Sequence, residues 1–287
     1  MASALAQTCA DLEILVVDDG PSDAAADTVR GAGDARLRYL RHQVRRGAAA
    51  ARNTGLRDTR GEFVAFLDDD DTWLPQKLAR QLERFSAGGP DLGVVYCSSL
   101  KYSDITDRVI AEAVARPLRH GYVDFLRSTR FGTSVPLIRR RCFDEVGGFD
   151  ESLPGTQDRD MWIRLAKRFA FDFVPEVLVR HHIHGDQITS NLKRKVEARE
   201  LLLAKYRGDM ESHPDIMARY LWRLGMLCCA DGRHAKGRRY IWQAIRRQPR
   251  LRGAYRDLVQ SLVAPGAYQR RLRDDVFRGA DGVPFYY

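Results

Sequence analysis

The stretch EFVAFLDDDDTWLP, residues 62–75, holds the most informative feature of this sequence. The apolar run from Phe63 to Leu67 predicts a strand at residues 62–67, and four consecutive aspartates, Asp68 to Asp71, follow it. Carboxylates about 4 Å apart repel by roughly 4 kcal/mol at an effective dielectric near 20, so such a cluster needs solvent or a cation. On an extended chain Asp68 and Asp70 share one face, and Mg²⁺ takes one or two carboxylates plus substrate phosphates. We therefore expect a cation site here; a solvated turn or a helix cap is the alternative.

Short strands and short helices alternate through the first 190 residues. The patterns predict strands at 12–17, 37–40, 62–67, 94–96, 135–138, 173–174 and 177–179, and helices at 23–32, 47–56, 75–85 and 158–169. Residues 141–146 lead to a turn at 147–150. Strands that alternate with helices at this pace are typical of βαβ units, so we expect a mostly parallel sheet in this part of the chain.

The patterned part of residues 191–287 predicts helices only. Two stripes of apolar residues at helical spacing, separated by the turn Asp231-Gly232, predict a helical hairpin at about 214–249. This hairpin resembles one tetratricopeptide repeat, and one repeat is not an array. Residues 266–287 are basic and poorly patterned. We therefore expect an α/β domain at 1–190, followed by a helical region.

The composition is that of a globular protein without a membrane span. Hydrophobic residues make up 44% of the chain and charged residues 30%, and there is no run of 18 or more apolar residues. The N-terminal residues lack the basic segment of a signal peptide. Five cysteines, an odd number without a CxxC pair, argue for reduced thiols rather than a disulfide framework. These features predict a cytoplasmic protein.

The net charge of +9 favours an acidic partner, which could be nucleotide phosphates, nucleic acid or an anionic membrane surface. Basic residues are spread through the chain, and no RNA-binding or helix-turn-helix signature accompanies them. We therefore do not expect nucleic acid to be the partner. A peripheral contact of the basic helical tail with the inner face of the membrane is a further expectation.

Four other motifs accompany the aspartate cluster. They are VVDDG at 16–20, GAAAARNTG at 47–55, RRRCFDEVGGFDE at 139–151 and TQDRDMWIRLA at 156–166. Together with GEFVAFLDDDDTW and PQKLARQ, this ordered series resembles the inverting GT-A glycosyltransferases of family 2, over about residues 3–190. The resemblance implies a Rossmann-like GT-A fold, with a mixed sheet flanked by helices and a C-terminal helical extension. It also implies a nucleotide-sugar donor, most readily a UDP-sugar, and Mn²⁺ or Mg²⁺ as cofactor.

The resemblance assigns five residues to the nucleotide-sugar donor. Asp18 and Asp19 would close the nucleotide pocket, and one of them would face the base. Arg52 would lie against the base or the phosphates; without the resemblance, it reads equally well as a surface arginine on an Ala-rich helix. Asp68 would lie near the ribose or the donor sugar, and Asp69 would belong to the same donor site.

The resemblance also assigns the metal ligands and the catalytic base. Asp70 would hold the metal, and His184 matches a histidine that can reach the metal or the diphosphate. The histidines at 181–184 do not have zinc-binding spacing, so zinc is not expected. Asp158 would be the catalytic base, on a helix whose Trp162 and Arg164 support the site. A simple helix cap is the alternative role for Asp158.

These assignments predict metal-dependent transfer of a sugar, with inversion, to the hydroxyl of a glycan or of a lipid-linked acceptor. A base would remove the acceptor proton as the hydroxyl attacks the anomeric carbon. Synthesis of a cell-surface glycan is the expected context. The alternative function is a catalytically inactive scaffold that binds a partner through its helical C-terminal region.

The sequence departs from the family pattern in its first residues. Family members begin with an apolar strand before the helix that leads to VVDDG, whereas residues 3–11 here already resemble the end of that helix. We expect in-frame codons upstream of Met1 to encode the missing strand. Smaller departures are Pro21, where the family has Ser, and Gln157, where it has Glu.

Overall fold

The computed structural model describes residues 1–20, 24–183 and 191–278. The strands in these ranges are β1 (Ile14–Asp18), β2 (Leu37–Arg41), β3 (Phe63–Ala65), β4 (Asp71–Trp73), β5 (Leu92–Ser103), β6 (Arg108–Ala113), β7 (Leu137–Arg139) and β8 (Ala170–Ile183). The helices are α1 (Ala2–Leu5), α2 (Ala24–Ala32), α3 (Ala48–Asp58), α4 (Lys77–Ala87), α5 (Tyr122–Arg127), α6 (Arg141–Val146), α7 (Gln157–Ala166), α8 (Leu192–Lys205), α9 (Arg207–Glu211), α10 (Pro214–Ala230), α11 (His234–Arg247), α12 (Arg252–Val263) and α13 (Pro265–Arg278).

The strands form two sheets, and most neighbouring strands are antiparallel. β1 and β2 make a parallel pair, while the larger sheet has the order β3-β7-β5-β8-β4, with β6 also paired to β5. In the larger sheet only β5 and β8 run parallel. The expected mixed sheet flanked by helices is confirmed, but the expectation of a mostly parallel sheet is wrong. Counting βαβ units missed the short strand β4, which pairs antiparallel with β8. It also gave no sign that β7, predicted as a strand at 135–138, pairs antiparallel with β3 and β5.

The aspartate cluster lies in a turn rather than on an extended strand. The strand predicted at 62–67 is limited to Phe63–Ala65. The amide of Asp71 donates to the carbonyl of Asp68 at 3.1 Å, and β4 then begins at Asp71 and pairs with β8. Because the chain turns between these residues, the alternation that put Asp68 and Asp70 on one face of a strand does not apply.

One long strand, β8, replaces the two short strands predicted at 173–174 and 177–179. Its register against β5 shifts at Pro175, since Cys97 pairs with Val174 and Ser98 with Val177. Proline has no amide hydrogen for the ladder, so a bulge is the natural place for it. The Ser98 hydroxyl donates to the Pro175 carbonyl at 2.7 Å. This bond ties the bulge to the buried centre of the sheet.

Contacts within the described residues divide the chain into two compact units. The first contains Met1–Phe125, Arg130–Glu151 and Gln157–His184, and the second contains Leu126–Thr129, Ser152–Thr156 and Gly185–Tyr287. Inside the second unit α10 and α11 pack closely. A Cβ atom at Gly225 would lie 2.7 Å from the Gly237 carbonyl oxygen, so only glycine fits that crossing. α13 extends over residues predicted to be poorly patterned.

Candidate functional site

Three partners fix the position of Asp68 at the start of the aspartate turn. Arg52 Nη2 donates to its Oδ1 at 2.6 Å, and Thr133 Oγ1 donates to its Oδ2 at 2.9 Å. The amide of Asp68 donates to Ser134 Oγ at 3.1 Å. The Arg52 side chain is only 18% exposed, so Arg52 is an ion-paired residue of this site and not a solvated surface arginine.

Ser134 links the two ends of the turn. Its hydroxyl accepts from the Asp68 amide and donates to Asp71 Oδ2 at 2.5 Å. His181 Nδ1 lies 2.9 Å from the same Asp71 oxygen, and Trp73 Nε1 donates to the Ser134 carbonyl at 2.8 Å. Sequence reasoning did not find Ser134 or Thr133. The available signal was a pair of hydroxyl residues directly before a predicted apolar strand.

Asp70 is the member of the turn whose electrostatic environment is least favourable. Burial raises the pKa of its carboxyl, and the neighbouring carboxylates of Asp71, Asp68 and Asp69 raise it further. Asp69 is exposed. A hard divalent cation would relieve this repulsion, and oxygen atoms are the ligands that such cations prefer. The residues of the turn therefore fit a Mg²⁺ or Mn²⁺ ion.

Protein ligands alone do not complete such a site in the described part of the chain. In these ranges there is no group of three or more His, Cys, Asp or Glu side chains that could hold a metal. Mg²⁺ is commonly bound through one or two carboxylates, water and substrate phosphates. The second predicted ligand, His184, lies outside the described residues.

Asp158 lies in the first turn of α7 and interacts electrostatically with two other predicted site residues. Burial raises the pKa of its carboxyl, and the Asp68 carboxylate acts in the same direction. The bond from the Arg159 amide at 2.7 Å and the charges of Arg52 and Arg159 oppose this shift. Arg52, which is ion-paired with Asp68, is thus near enough for its charge to act on Asp158. A carboxylate with a raised pKa is a better proton acceptor than a solvated one.

Buried hydrogen bonds hold the helix that carries Asp158. Trp162 is fully buried, and its Nε1 donates to the Phe131 carbonyl at 3.1 Å. Arg164 Nε donates to the buried Asp160 carboxylate at 2.9 Å, and its Nη2 donates to the Gly148 carbonyl at 2.8 Å. Trp162 and Arg164 thus support the helix, and Arg164 also connects it to the GGF segment, residues 147–149 of the motif RRRCFDEVGGFDE.

The GGF segment in turn holds the helix that carries Arg52. Asn53 Nδ2 donates to the Phe149 carbonyl at 2.9 Å, and the Phe149 amide donates back to Asn53 Oδ1 at 2.7 Å. A Cβ atom at Gly148 would lie 2.4 Å from that oxygen, so this close approach requires glycine. The Arg52 guanidinium lies over the Phe149 ring, 5.5 Å from its centroid. Motifs almost 100 residues apart therefore orient Arg52 together.

Asp18 ends β1 and stabilises the turn that follows. Its Oδ1 accepts from the Gly20 amide at 2.8 Å. Its Oδ2 accepts from the Tyr39 hydroxyl on β2, also at 2.8 Å. These bonds use one lone pair on each oxygen, and each oxygen has a second lone pair. The described contacts give Asp18 a structural role, and its predicted contact with the nucleotide stays a prediction.

Asp19 holds the segment that leads into α3. Its carboxylate accepts from the Arg46 amide at 2.8 Å and from the Gly47 amide at 2.7 Å, and it lies 2.7 Å from His42 Nδ1. Burial alone would raise the pKa of Asp19, but these three partners together lower it. Hydrogen bonds to the ionised form favour that form. Asp19 is therefore a satisfied carboxylate in the protein as described.

Comparison with known sequences identifies the domain that contains this site. Residues 1–138 match the family model for Glycosyl transferase family 2. This part of the chain belongs to glycosyl transferase family 2. The match includes the aspartate turn, Arg52 and the hydroxyl pair at 133–134. Asp158 lies beyond the matched range, on a helix that hydrogen bonds hold to the matched domain.

Curated relatives extend the similarity along the chain. An uncharacterised glycosyltransferase of Rickettsia felis is 30% identical over 71% of this chain and 35% of its own length. The succinoglycan biosynthesis protein ExoO of Rhizobium meliloti is 33% identical over 58% of this chain and 50% of its own. WfgD of Escherichia coli is named as a UDP-Glc:α-D-GlcNAc-diphosphoundecaprenol β-1,3-glucosyltransferase. It is 26% identical over 82% of this chain and 88% of its own length. The chain thus spans about a third of the first relative's length.

Solved structures confirm the expected GT-A fold. Staphylococcus aureus TarS superposes with a TM-score of 0.58 at 14% identity, over 96% of this chain and 52% of that protein. The mannosyltransferase PcManGT of Pyrobaculum calidifontis, in complex with GDP-Man and Mn²⁺, superposes with a TM-score of 0.55 at 17% identity. The superposition covers 96% of this chain and 81% of PcManGT. At these identities the likeness establishes the fold only. No helix among the described residues is long and apolar enough to cross a membrane.

Proposed function

We propose that the chain transfers a sugar from a nucleotide-sugar donor to an acceptor hydroxyl with inversion of configuration. The observation that carries this proposal is the position of Asp158. Burial raises the pKa of its carboxyl, and Asp158 interacts with Arg52 and Asp68, both in the matched glycosyltransferase domain. A UDP-sugar donor and a lipid-linked acceptor are proposed because WfgD is named for such substrates. ExoO, named for succinoglycan biosynthesis, supports a role in glycan synthesis.

In this mechanism Asp158 accepts the proton of the acceptor hydroxyl. As the hydroxyl oxygen attacks the anomeric carbon, the bond from that carbon to the diphosphate oxygen breaks and the diphosphate leaves with the bonding electrons. The charges of Arg52 and Arg159 lower the pKa of Asp158, while burial, the larger effect, raises it and makes the ionised carboxylate more basic. Inversion in one step needs no covalent intermediate with the protein.

We assign donor binding to the aspartate turn and its neighbours. Asp68 and Asp69 with Arg52 would contact the donor, and Asp18 and Asp19 would close the nucleotide pocket. Asp70 would hold Mn²⁺ or Mg²⁺, with His184 as a second ligand. The bound metal would offset the charge that develops on the departing diphosphate. The raised pKa of Asp70 supports a cation at this position.

The variant Asp158→Asn tests the catalytic role. With UDP-glucose as first donor and a diphosphate-lipid-linked GlcNAc as first acceptor, turnover should fall by about 10² to 10⁴, the usual contribution of a positioned base. Binding of UDP, measured by calorimetry, should persist, and thermal stability should be retained because the Asn side-chain oxygen can still accept the bond that the Arg159 amide donates to Asp158. The matched control is Asp144→Asn, the same change at an exposed position of α6, which should keep full turnover.

Two outcomes would count against this proposal. Unchanged turnover in Asp158→Asn would leave Asp158 as a residue that only supports the first turn of α7. If the unmodified protein showed neither transfer nor hydrolysis with a panel of UDP- and GDP-sugars, the inactive scaffold would become the better description. We also propose that the protein works at the inner face of the membrane, where a lipid-linked acceptor would be presented.

A further inference from the structure

Helix α12 exposes its large apolar residues and buries its small and polar ones. The buried side chains are Ala254, Asp257 and Ser261. In contrast, the exposed fractions of its large apolar residues are Tyr255 41%, Val259 57%, Leu262 59% and Val263 79%. A helix that packs only against its own protein normally shows the opposite arrangement, with its apolar stripe facing the core. Such an exposed apolar stripe marks a binding surface.

The exposed apolar residues of α12 form one continuous stripe. Tyr255, Val259 and Leu262 are spaced by four and three residues, so they lie on one face of the helix. Arg252 and Arg256, both exposed, precede Tyr255 and Val259 by three residues and therefore border the same face. The stripe is thus apolar along its length, with cationic side chains at its edge.

The neighbouring helix α11 adds an aromatic residue and more positive charge. Trp242 is 52% exposed, and the exposed Arg239 and Arg246 lie three residues before it and four after it. Arg238, one turn before Trp242, donates from Nη1 to the Ser261 carbonyl at 3.1 Å. This bond places α11 beside the C-terminal end of α12. We call the surface formed by Trp242, Tyr255, Val259, Leu262 and Val263 the α11–α12 face.

Within residues 234–273 the exposed charge has one sign. Residues 234–273 contain eleven Lys and Arg and a single acid, Asp257. Asp257 is fully buried, where it accepts hydrogen bonds from Trp222 at 2.9 Å and from Arg271 at 3.0 Å. The negative charge is therefore hidden, while the exposed charges of this segment are positive. Such a surface is complementary to an extended anionic one.

We propose that the α11–α12 face docks this protein on the surface of an anionic lipid bilayer. Tyr and Trp prefer the headgroup level of a membrane, and aliphatic side chains beside them enter the acyl boundary. Arginines keep their guanidinium groups among the lipid phosphates while their stems cover apolar surface. An acidic protein would match the charge but would leave the continuous aliphatic stripe unexplained. Only the purpose of this docking rests on the proposed function: on the membrane, the enzyme would meet a lipid-linked acceptor.

Flotation of the full-length protein with vesicles tests the proposal without any substrate. One set of vesicles is phosphatidylcholine alone, and the other is phosphatidylcholine with an equal amount of phosphatidylglycerol. We expect binding to the anionic set at least about tenfold tighter than to the neutral set, with weakening at high salt, because surface charge attraction is screened. Equal binding to both sets, or binding to neither, would overturn the proposal.

Two double variants separate the charge from the apolar stripe. Arg246→Glu with Arg252→Glu reverses exposed charge, and it leaves Arg256 intact because its Nε lies 3.7 Å from the buried Asp257 carboxylate. Trp242→Ser with Leu262→Ser removes apolar area. Each should weaken anionic-vesicle binding at least about tenfold, with an unchanged melting temperature, since all four side chains are exposed.

Matched controls come from β6 and the residues directly after it, in the other unit. Arg108→Glu with Arg116→Glu, and Val109→Ser with Ile110→Ser, change exposed residues in the same way and should leave vesicle binding intact. If they weaken binding equally, the attraction is unspecific and the proposal fails.

The proposal also fails if the protein sediments as a dimer that only the α11–α12 variants dissociate, since a second copy then covers the face. Transfer to a water-soluble acceptor is measured in parallel, so loss of docking and loss of catalysis are recorded separately.

Discussion

Two clusters of aspartates at strand ends show how differently the same residue type can be used. Asp19 receives two backbone N–H groups and pairs with His42, and the pKa of its carboxyl is lowered. Asp70 lies among three other carboxylates, and burial together with this repulsion raises its pKa. The first cluster is stabilised by the protein itself. In the second, burial and the neighbouring carboxylates disfavour the ionised form of Asp70, and a bound cation would favour it.

The difference follows from what each segment folds against. The N–H groups that bind the Asp19 carboxylate belong to residues 46 and 47, directly before α3. The chain folds back so that these residues lie beside the end of β1. In the aspartate turn, Thr133, Ser134 and Arg52 satisfy Asp68 and Asp71. Asp70, between them, stays in an unfavourable field. We infer that Asp19 is mainly structural and that Asp70 is the better candidate for a metal ligand.

The largest expected effect that tests this contrast is on metal-dependent binding. Asp70→Asn should lower the affinity for UDP in the presence of Mn²⁺ by about 10²-fold, because a neutral amide is a poor ligand for a hard cation. Calorimetry with and without Mn²⁺ measures it. The matched control is Glu112→Gln, an exposed acid on β6, which should bind as the unmodified protein does. Equal UDP affinity of the unmodified protein with and without metal would reject the role of Asp70.

Local patterns predicted most of the elements near this site. The helices predicted at 47–56 and 158–169 correspond to α3 and α7, and the strand predicted at 12–17 to β1. Motif resemblance predicts that Arg52 and Asp158 belong to one site, and the charge of Arg52 acts on the pKa of Asp158. Apolar periodicity and motif order are local signals, so both could be read from the chain alone.

The pairing of distant segments could not be read in this way. β4 has three residues, and it forms because Asp71 and Trp73 lie opposite residues of β8 that are more than 100 positions away. Ser134 serves both Asp68 and Asp71 only because β7 is brought beside β3. Such contacts depend on tertiary packing, which overrides the local tendency to extend a strand through residues 66 and 67.

A smaller effect, on stability, should follow from removing the Asp19 carboxylate. Asp19→Ala should lower the free energy of unfolding by about 2 kcal/mol, because two backbone N–H groups and His42 lose a charged acceptor that is partly exposed. Urea denaturation at neutral pH measures the change. The control is Asp27→Ala, whose pair with Arg30 is solvent-exposed, and it should change stability by no more than about 0.5 kcal/mol. An equal loss in both variants would mean that the Asp19 bonds add nothing.

The smallest expected effect has the opposite sign, and it concerns the metal-free protein. Asp70→Asn should raise the free energy of unfolding by about 0.5 kcal/mol at neutral pH with a chelator present, because it removes one charge from a repulsive cluster that is partly solvated. The pH dependence of stability tests whether this repulsion is the cause. The pKa of Asp70 in the folded protein lies above its ordinary value of 3.8, so the protonated carboxyl stabilises the folded protein fully at pH values below 3.8.

That stability is lost as the pH rises through the raised folded pKa of Asp70. The Asn variant should therefore match the unmodified protein in acid and exceed it at neutral pH. For Asp19, whose folded pKa is lowered from 3.8, the stabilisation is present above the ordinary value and is lost as the pH falls through the folded one. Stability differences between the unmodified protein and the Asp19 and Asp70 variants should thus change with pH in opposite directions. Parallel curves would show that the two clusters do not differ as proposed.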